Sequence, residues 1–486
     1  MDNSVQLITY ADSLDGGLRG LKDVLQGPFA GLFRGGVHIL PPFPSSGDRG
    51  FAPKTYFEVD PKFGTWDDIG AIAQDHAVIL DIMVNHISRS SDYFLDFAAH
   101  GRDSEWADLF ITLDKVWPDS KIPVEDAGKI ACRKPGGPFT DIVVGDTGAV
   151  ERVWTTFGSA SWSEQIDLDV GAPSTRELFA SVLQYFAARG VKGARLDAVG
   201  YAIKKRCTGC FFVEPEIFEF LDWFKDKAAP FGIELIPELH SSYRDNEALI
   251  SRGYRTYDFV LPGLLLHSFY SGSAIRLREY LRNRSGLYYT VLDCHDGIPI
   301  QPDLTGILSA QEMKRIVETC LARGANLSRL VNGGGVEGLD VHQINITYYD
   351  ALGRDDESFL AARAVQLFVP GIPQIYYVGL LAGENDQPAV SRTGAGRAVN
   401  RHDFSRAEID ASTEKPIVKR LFSLLRFRNT HPSFAGRFSV LESGDDCLAL
   451  EWRCENDYAA LEASLSRRSI RIRHSDADGK DVEWNP

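Results

Sequence analysis

The chain has 486 residues, 44% hydrophobic and 24% charged, a globular composition long enough for a barrel-sized domain with insertions. Its formal net charge of -15 argues against nucleic acid or an anionic membrane surface as partner, although an anionic substrate needs only local positive charge. Seven scattered cysteines do not suggest a disulfide framework. "MDNSVQLITYAD" lacks the regions of a signal peptide and no run reaches the length of a membrane span, so a cytoplasmic protein is expected.

Strand-length apolar runs recur with helical patterns between them. In chain order they are Val5–Tyr10, Gly36–Phe43, Ala77–His86, Val191–Val199, Ile233–His240, Thr256–Pro262, Tyr288–Asp296 and Ile372–Gly379. The stretch "STRELFASVLQYFAARG" puts Leu178, Phe179, Val182, Leu183 and Phe186 on one helical face, with Ser174 as N-cap and Gly190 as stop. Eight strands alternating with helices predict an α/β fold, a (β/α)8 TIM barrel with two inserted loop subdomains and a small C-terminal β domain. The barrel is expected over 1–85, 166–296 and 349–430, subdomain B over 86–165, subdomain B' over 297–348 and the β domain over 431–486. Cys207 and Cys210 form a lone CxxC with no second pair, to which no zinc or redox role is assigned.

Polar residues gather at the C-terminal ends of four of these runs, where barrel enzymes keep their chemistry. The third ends in Asp81, Asn85 and His86, the fourth in Arg195 and Asp197, the fifth in Glu238 and His240, the seventh in Asp293, His295 and Asp296. Strand alternation puts Arg195 and Asp197 on one face. Alone, such a pair reads as a structural salt bridge; repetition of the pattern at four strands favours a site.

"DIMVNH", "GARLDAVGY", "IPELH" and "VLDCHDG" resemble the signature regions of the alpha-amylase family, glycoside hydrolase family 13. "QLITYAD", "LDCHDGI", "TYYDALG", "PGIPQIYYVGLLAGEND" and "NRHDF" extend the resemblance to its sucrose phosphorylase subgroup along nearly the whole chain. That resemblance implies a retaining mechanism through a covalent glucosyl-enzyme, with Asp197 as nucleophile, Glu238 as general acid/base and Asp296 as the third carboxylate, stabilising the distorted sugar. Arg195 beside Asp197 is expected to lower its pKa, and the apolar Ile236–Pro237 setting to raise that of Glu238. By the same resemblance His86 and His295 bind glucosyl hydroxyls, Asp48 and Arg401 close the far side of the glucosyl site, and Phe51 and Phe157 are its aromatic walls; Gln165 is a further substrate-binding candidate.

A phosphorylase must favour phosphate over water, which calls for anion donors. "CRKPGG" supplies Arg133 and Lys134, and "GLDVHQ" supplies Asp340, His342 and Gln343 as phosphate or acceptor candidates. Subgroup members typically carry "RPRPG" and "LDLYQ" at these places, so here a histidine stands beside the acceptor where a tyrosine is usual. A basic loop with that histidine resembles the variants acting on sucrose 6'-phosphate. The expected substrates are therefore a phosphorylated disaccharide and inorganic phosphate, with no cofactor and no metal, in a monomer or homodimer. Sucrose itself, another glucoside of the subgroup, hydrolysis, and a catalytically dead scaffold barrel are the alternatives.

Overall fold

The computed structural model describes residues 3–331, 335–336, 338–484 and 486. The chain forms two compact units, one of Met1–His38, His240–Leu330 and Gly335–Pro486, the other of Ile39–Leu239 and Val331–Gly334.

Eight short parallel strands carry the fold: β1 (Gln6–Thr9), β2 (Gly36–Ile39), β3 (Val78–Met83), β4 (Val191–Asp197), β5 (Glu234–Pro237), β6 (Thr256–Asp258), β7 (Tyr288–Thr290) and β8 (Ile372–Tyr376). Within the first unit the hydrogen-bonded order is β6-β7-β8-β1, all parallel. Within the second it is β3-β4-β5, again parallel. These are the eight strands of the (β/α)8 fold expected from the sequence. Burial on both faces explains their near-continuous apolar runs: every residue of β3 and β8 is buried.

The strands stop earlier than the apolar runs suggest. β5 ends at Pro237, β7 at Thr290 and β6 at Asp258, so Glu238, His240, Asp293, His295 and Asp296 stand on the following loops. Apolar runs continue past the last ladder bond because the loops are buried too, and hydrophobicity alone cannot mark that end. The run through His86 breaks after Met83, and His86–Ser88 instead pairs antiparallel with Gln165–Asp167.

The predicted helix spans Pro173–Ala187, with all five expected residues buried. Its N-cap is Ala172, not Ser174. Proline at the first helical position starts the helix, since it lacks only an N–H that would be orphaned there. The Ser174 hydroxyl donates to Asp108 at 2.6 Å instead.

Between 86 and 165 lies an antiparallel hairpin, Phe139–Val143 with Val150–Trp154. It packs on a cluster containing Trp117, Ile130, Trp154 and Cys210. Between 297 and 348 a three-stranded antiparallel sheet joins Ile298–Pro299, Val341–Asn345 and Asn326–Arg329. The chain closes with a five-stranded antiparallel meander from Arg437 to Trp484. No helix among the described residues is long and apolar enough to cross a membrane.

Candidate active site

In the second unit, the register of β3 against β4 sets Asp81 beside Arg195 and Met83 beside Asp197. The β4–β5 pairing continues with Glu238 N–H donating to Leu196 O at 3.0 Å, which brings Glu238 level with the end of β4. The guanidinium of Arg195, 3% exposed, therefore meets three carboxylates. Nη1 donates to Asp81 and, at 2.9 Å, to Asp197 Oδ1; Nη2 is 2.9 Å from Glu238 Oε1. Ala198, directly after Asp197, adopts a left-handed conformation (φ 54°, ψ 32°) and turns its N–H to Glu238 Oε2 at 3.0 Å. This left-handed non-glycine residue is tied in place through its N–H to Glu238.

One guanidinium cannot neutralise three buried carboxylates. Burial pushes the Asp197 carboxyl up to about 8, against the pull of Arg195, with Glu238 and Asp81 adding repulsion. The sequence argument that Arg195 lowers this pKa identified a real opposing force but the smaller one.

Around this centre, His86 Nε2 lies 2.9 Å from Phe51 O, and Asn85 Nδ2 donates toward His86 Nδ1 at 3.3 Å. The ring is therefore the Nε2–H tautomer. Burial, partly offset by Asp167, lowers its pKa to about 4, so it is neutral near pH 7. Gln165 Nε2 donates to the same Phe51 carbonyl at 2.7 Å. Phe51 is 8% exposed, with the Arg195 guanidinium 5.8 Å from its ring centroid. The Phe157 ring packs edge-on against His86 (5.5 Å) and Tyr201 (5.4 Å). Asp48 is exposed on a single helical turn.

Two residues that sequence reasoning passed over organise this half. The Lys204 ammonium, its side chain 2% exposed, bonds Asp167 at 2.8 Å and Asn85 Oδ1 at 2.7 Å and reaches Tyr201 O. It thereby orients Asn85 toward His86, while Asp167 accepts from Thr156 N at 2.8 Å, next to Phe157. Burial raises the Tyr201 phenol pKa, and the nearby Arg133 guanidinium pulls it back down. "RLDAVGYAIKK" held the only signal, a lysine and a tyrosine following Asp197. Arg133 is half-buried, whereas the Lys134 ammonium turns inward to Phe139 O (2.9 Å) and Thr140 Oγ1 (3.2 Å).

The first unit holds the remaining candidates. Asp296 is 2.9 Å from Arg397 Nη1 and 3.8 Å from both His295 Nε2 and Arg401 Nη2. Burial alone would raise its pKa, but Arg397, His295 and Arg401 outweigh it and hold the carboxyl well below its usual range. Arg401 donates to His295 O at 2.7 Å, and Asn400 Nδ2 clamps the same loop through Cys294 O (3.1 Å) and Asp296 O (2.8 Å). Neither Arg397 nor Asn400 is a site candidate in the sequence reading, though Asn400 opens the recognised "NRHDF" and Arg397 lies three residues before it.

His342 is 5% exposed and Gln343 1%, both on Val341–Asn345. His342 Nδ1 lies 2.6 Å from Gln301 O, and its ring stands edge-on to that of His240 at 5.5 Å. His240 stacks flat on Phe259 at 3.9 Å, with Nδ1 3.4 Å from Asp303. Arg397 Nη2 donates to Gln343 Oε1 at 3.4 Å, and Asp340 pairs with Arg329.

Residues 9–229 match the family model "Alpha amylase, catalytic domain". The chain is 50% identical to the sucrose 6(F)-phosphate phosphorylase of Thermoanaerobacterium thermosaccharolyticum, covering 100% of this chain and 99% of that one. It is 43% identical to the sucrose phosphorylase of Agrobacterium vitis over 98% of each. The crystal structure of sucrose 6F-phosphate phosphorylase from Thermoanaerobacter thermosaccharolyticum superposes with a TM-score of 0.97 at 50% identity, covering 100% of this chain and 99% of that one.

Proposed function

The chain belongs to the alpha-amylase family, and on that footing we propose that it is a retaining alpha-glucosyl phosphorylase acting on sucrose 6'-phosphate. It converts this sugar and inorganic phosphate to alpha-glucose 1-phosphate and fructose 6-phosphate. The observation that carries the reading is that Asp197 and Glu238 share one buried arginine.

Asp197 attacks the anomeric carbon while Glu238 gives its proton to the departing fructosyl oxygen. The glycosidic bond breaks as the Asp197–glucosyl ester forms. Glu238, now ionised, takes a proton from the incoming phosphate, whose oxygen displaces Asp197. Two inversions retain the configuration. Asp296, kept ionised by its arginines, suits stabilisation of the positively charged transition state. His86, His295, Asp48, Arg401, Phe51, Phe157 and Gln165 form the glucosyl site in this reading.

For the phosphorylated leaving group we assign Arg133 and His342, with Asp340 and Gln343 on the same acceptor loop. Lys134 supports the loop rather than the anion, because its ammonium is already spent on Phe139 O and Thr140. The full-length likeness to a sucrose 6(F)-phosphate phosphorylase supports this choice over sucrose. We place the enzyme in the cytoplasm, where phosphorylated sugars are found.

Glucose 1-phosphate release with inorganic phosphate, comparing sucrose 6'-phosphate and sucrose at equal concentration, tests the reading. A strong preference for the phosphorylated sugar is expected. Preference for sucrose would keep the mechanism and overturn the donor, and free glucose from both would make the protein a hydrolase.

A further inference from the structure

We propose that His342 reads a phosphoryl group only with an added proton, so that the phosphorylated sugar and one proton bind together. This rests on the assignment of His342 to the phosphorylated leaving group and adds the chemical condition under which it works.

His342 Nδ1 lies 2.6 Å from the main-chain oxygen of Gln301. A carbonyl oxygen only accepts, so Nδ1 must carry the hydrogen. A neutral imidazole has one N–H, and its Nε2 is then a lone pair. A phosphomonoester dianion offers only acceptor oxygens, and a lone pair facing them repels. Attraction needs a proton between the two, either on Nε2, making an imidazolium, or on a phosphate oxygen. Histidine titrates near about 6.5 and phosphomonoesters near about 6. Above both values, forming the complex takes up one proton by either route.

The Gln301 backbone holds the ring in this orientation. Ile300 N and Gln301 N both donate to His342 O, at 2.9 and 3.2 Å, binding the two backbones face to face. The Gln301 side chain donates to Leu339 O at 2.6 Å and Val341 O at 3.3 Å and accepts from Val336 N at 2.9 Å. Gln301 is 2% exposed, so turning the imidazole away would leave a buried carbonyl without its donor. Titratable and charged groups of this unit near the ring include His240 with Asp303 from the neighbouring loops, Asp340 with Arg329 on its own sheet, and Arg397 reached through Gln343.

A hydroxyl is different, because it can donate to Nε2 of the neutral ring. The same histidine therefore accepts an unphosphorylated hexose without a proton and a phosphorylated one only with it. A tyrosine at this place donates through its phenol and has no such dependence near neutrality.

Calorimetry on the whole enzyme at a pH of about 8, in buffers of different ionisation enthalpy, measures the linkage directly. Fructose 6-phosphate is expected to bind with uptake of close to one proton, fructose with none, and His342→Gln to bind fructose 6-phosphate more weakly without uptake. Binding of fructose 6-phosphate without uptake, or uptake that persists in His342→Gln, overturns the proposal. Fructose 6-phosphate binding no better than fructose would instead overturn the donor assignment. The unmodified enzyme supplies a second test. Above a pH of about 7, KM for sucrose 6'-phosphate should rise about tenfold per pH unit relative to KM for sucrose; parallel profiles overturn the proposal.

Discussion

Glu238 Oε1 lies 2.9 Å from Arg195 Nη2, on the guanidinium whose Nη1 holds Asp197 Oδ1 at the same distance. Two carboxyls joined in this way titrate as a pair: with one positive charge among buried carboxylates, their protons leave in separate steps. In the proposed mechanism the productive form carries one proton, leaving a carboxylate to attack and a carboxylic acid to protonate the leaving oxygen.

The pH dependence of kcat/KM is accordingly expected to be bell-shaped. The acid limb reports protonation of the last carboxylate and the alkaline limb loss of the shared proton. Burial, which pushes Asp197 up to about 8, moves the alkaline limb above neutrality. Glu238→Gln should lower kcat/KM about 10²–10⁴-fold and abolish the alkaline limb. Formation of the glucosyl-enzyme from a substrate with an activated leaving group should suffer far less, because such a group needs no proton.

Asp197→Asn should stop turnover, by at least about 10⁴-fold, and stabilise the fold in a pH-dependent manner. A carboxyl whose pKa is raised on folding contributes its full stability only below its unfolded pKa of about 3.9. That contribution is lost as pH rises through its folded value, about 8. The thermal midpoint of the variant should therefore exceed that of the parent increasingly between those limits, and the gap should close below pH about 4. Thermal unfolding at a series of pH values checks this.

Lys204→Met removes the cation from a fully buried carboxylate, since Asp167 is 0% exposed. Such a loss costs about 3–5 kcal/mol, measurable as a shift in the denaturation midpoint. Because Lys204 also orients Asn85 toward His86, KM should rise in the folded population.

Gly379→Ala tests the support beneath the first unit's carboxylate. Asp293 is gripped by Arg363 Nη2 at 2.9 and 2.7 Å, and a Cβ on Gly379 would stand 1.9 Å from that nitrogen and 2.1 Å from Asp293 Oδ2. Neither group is the free end of an exposed side chain. A destabilisation of about 3 kcal/mol or more is expected, together with loss of activity, since Asp293 lies three residues before Asp296. Gly379→Ala with an unchanged unfolding midpoint would contradict the tight approach.

His342→Tyr replaces a ring that must gain a proton to meet a phosphate by a neutral donor. The ratio of kcat/KM for sucrose 6'-phosphate to that for sucrose should fall by about tenfold or more, corresponding to loss of one charged hydrogen bond. Equal weakening of both substrates would remove His342 from selection.

The fold class and a set of polar candidates at strand ends were legible in the chain's local pattern. Eight apolar runs, four of them ending in charge, required a parallel sheet with polar loops at one end, because side-chain burial and strand alternation are local properties of the chain. Tertiary packing set where those runs stop pairing, as at Pro237 and Thr290, since buried loops are as apolar as strands. It also decided what each polar residue faces. Lys134 and Arg133 are neighbours in sequence, yet one ammonium is consumed within its own loop while the guanidinium meets Tyr201. Lys204, Arg397 and Gln301 had no periodicity to announce them, because their partners are distant in the chain. The direction of the Asp197 pKa turned on the same point. The attraction of Arg195 can be read from two letters, but desolvation and the repulsion of Asp81 and Glu238 depend on distances that exist only once β3, β4 and β5 are side by side.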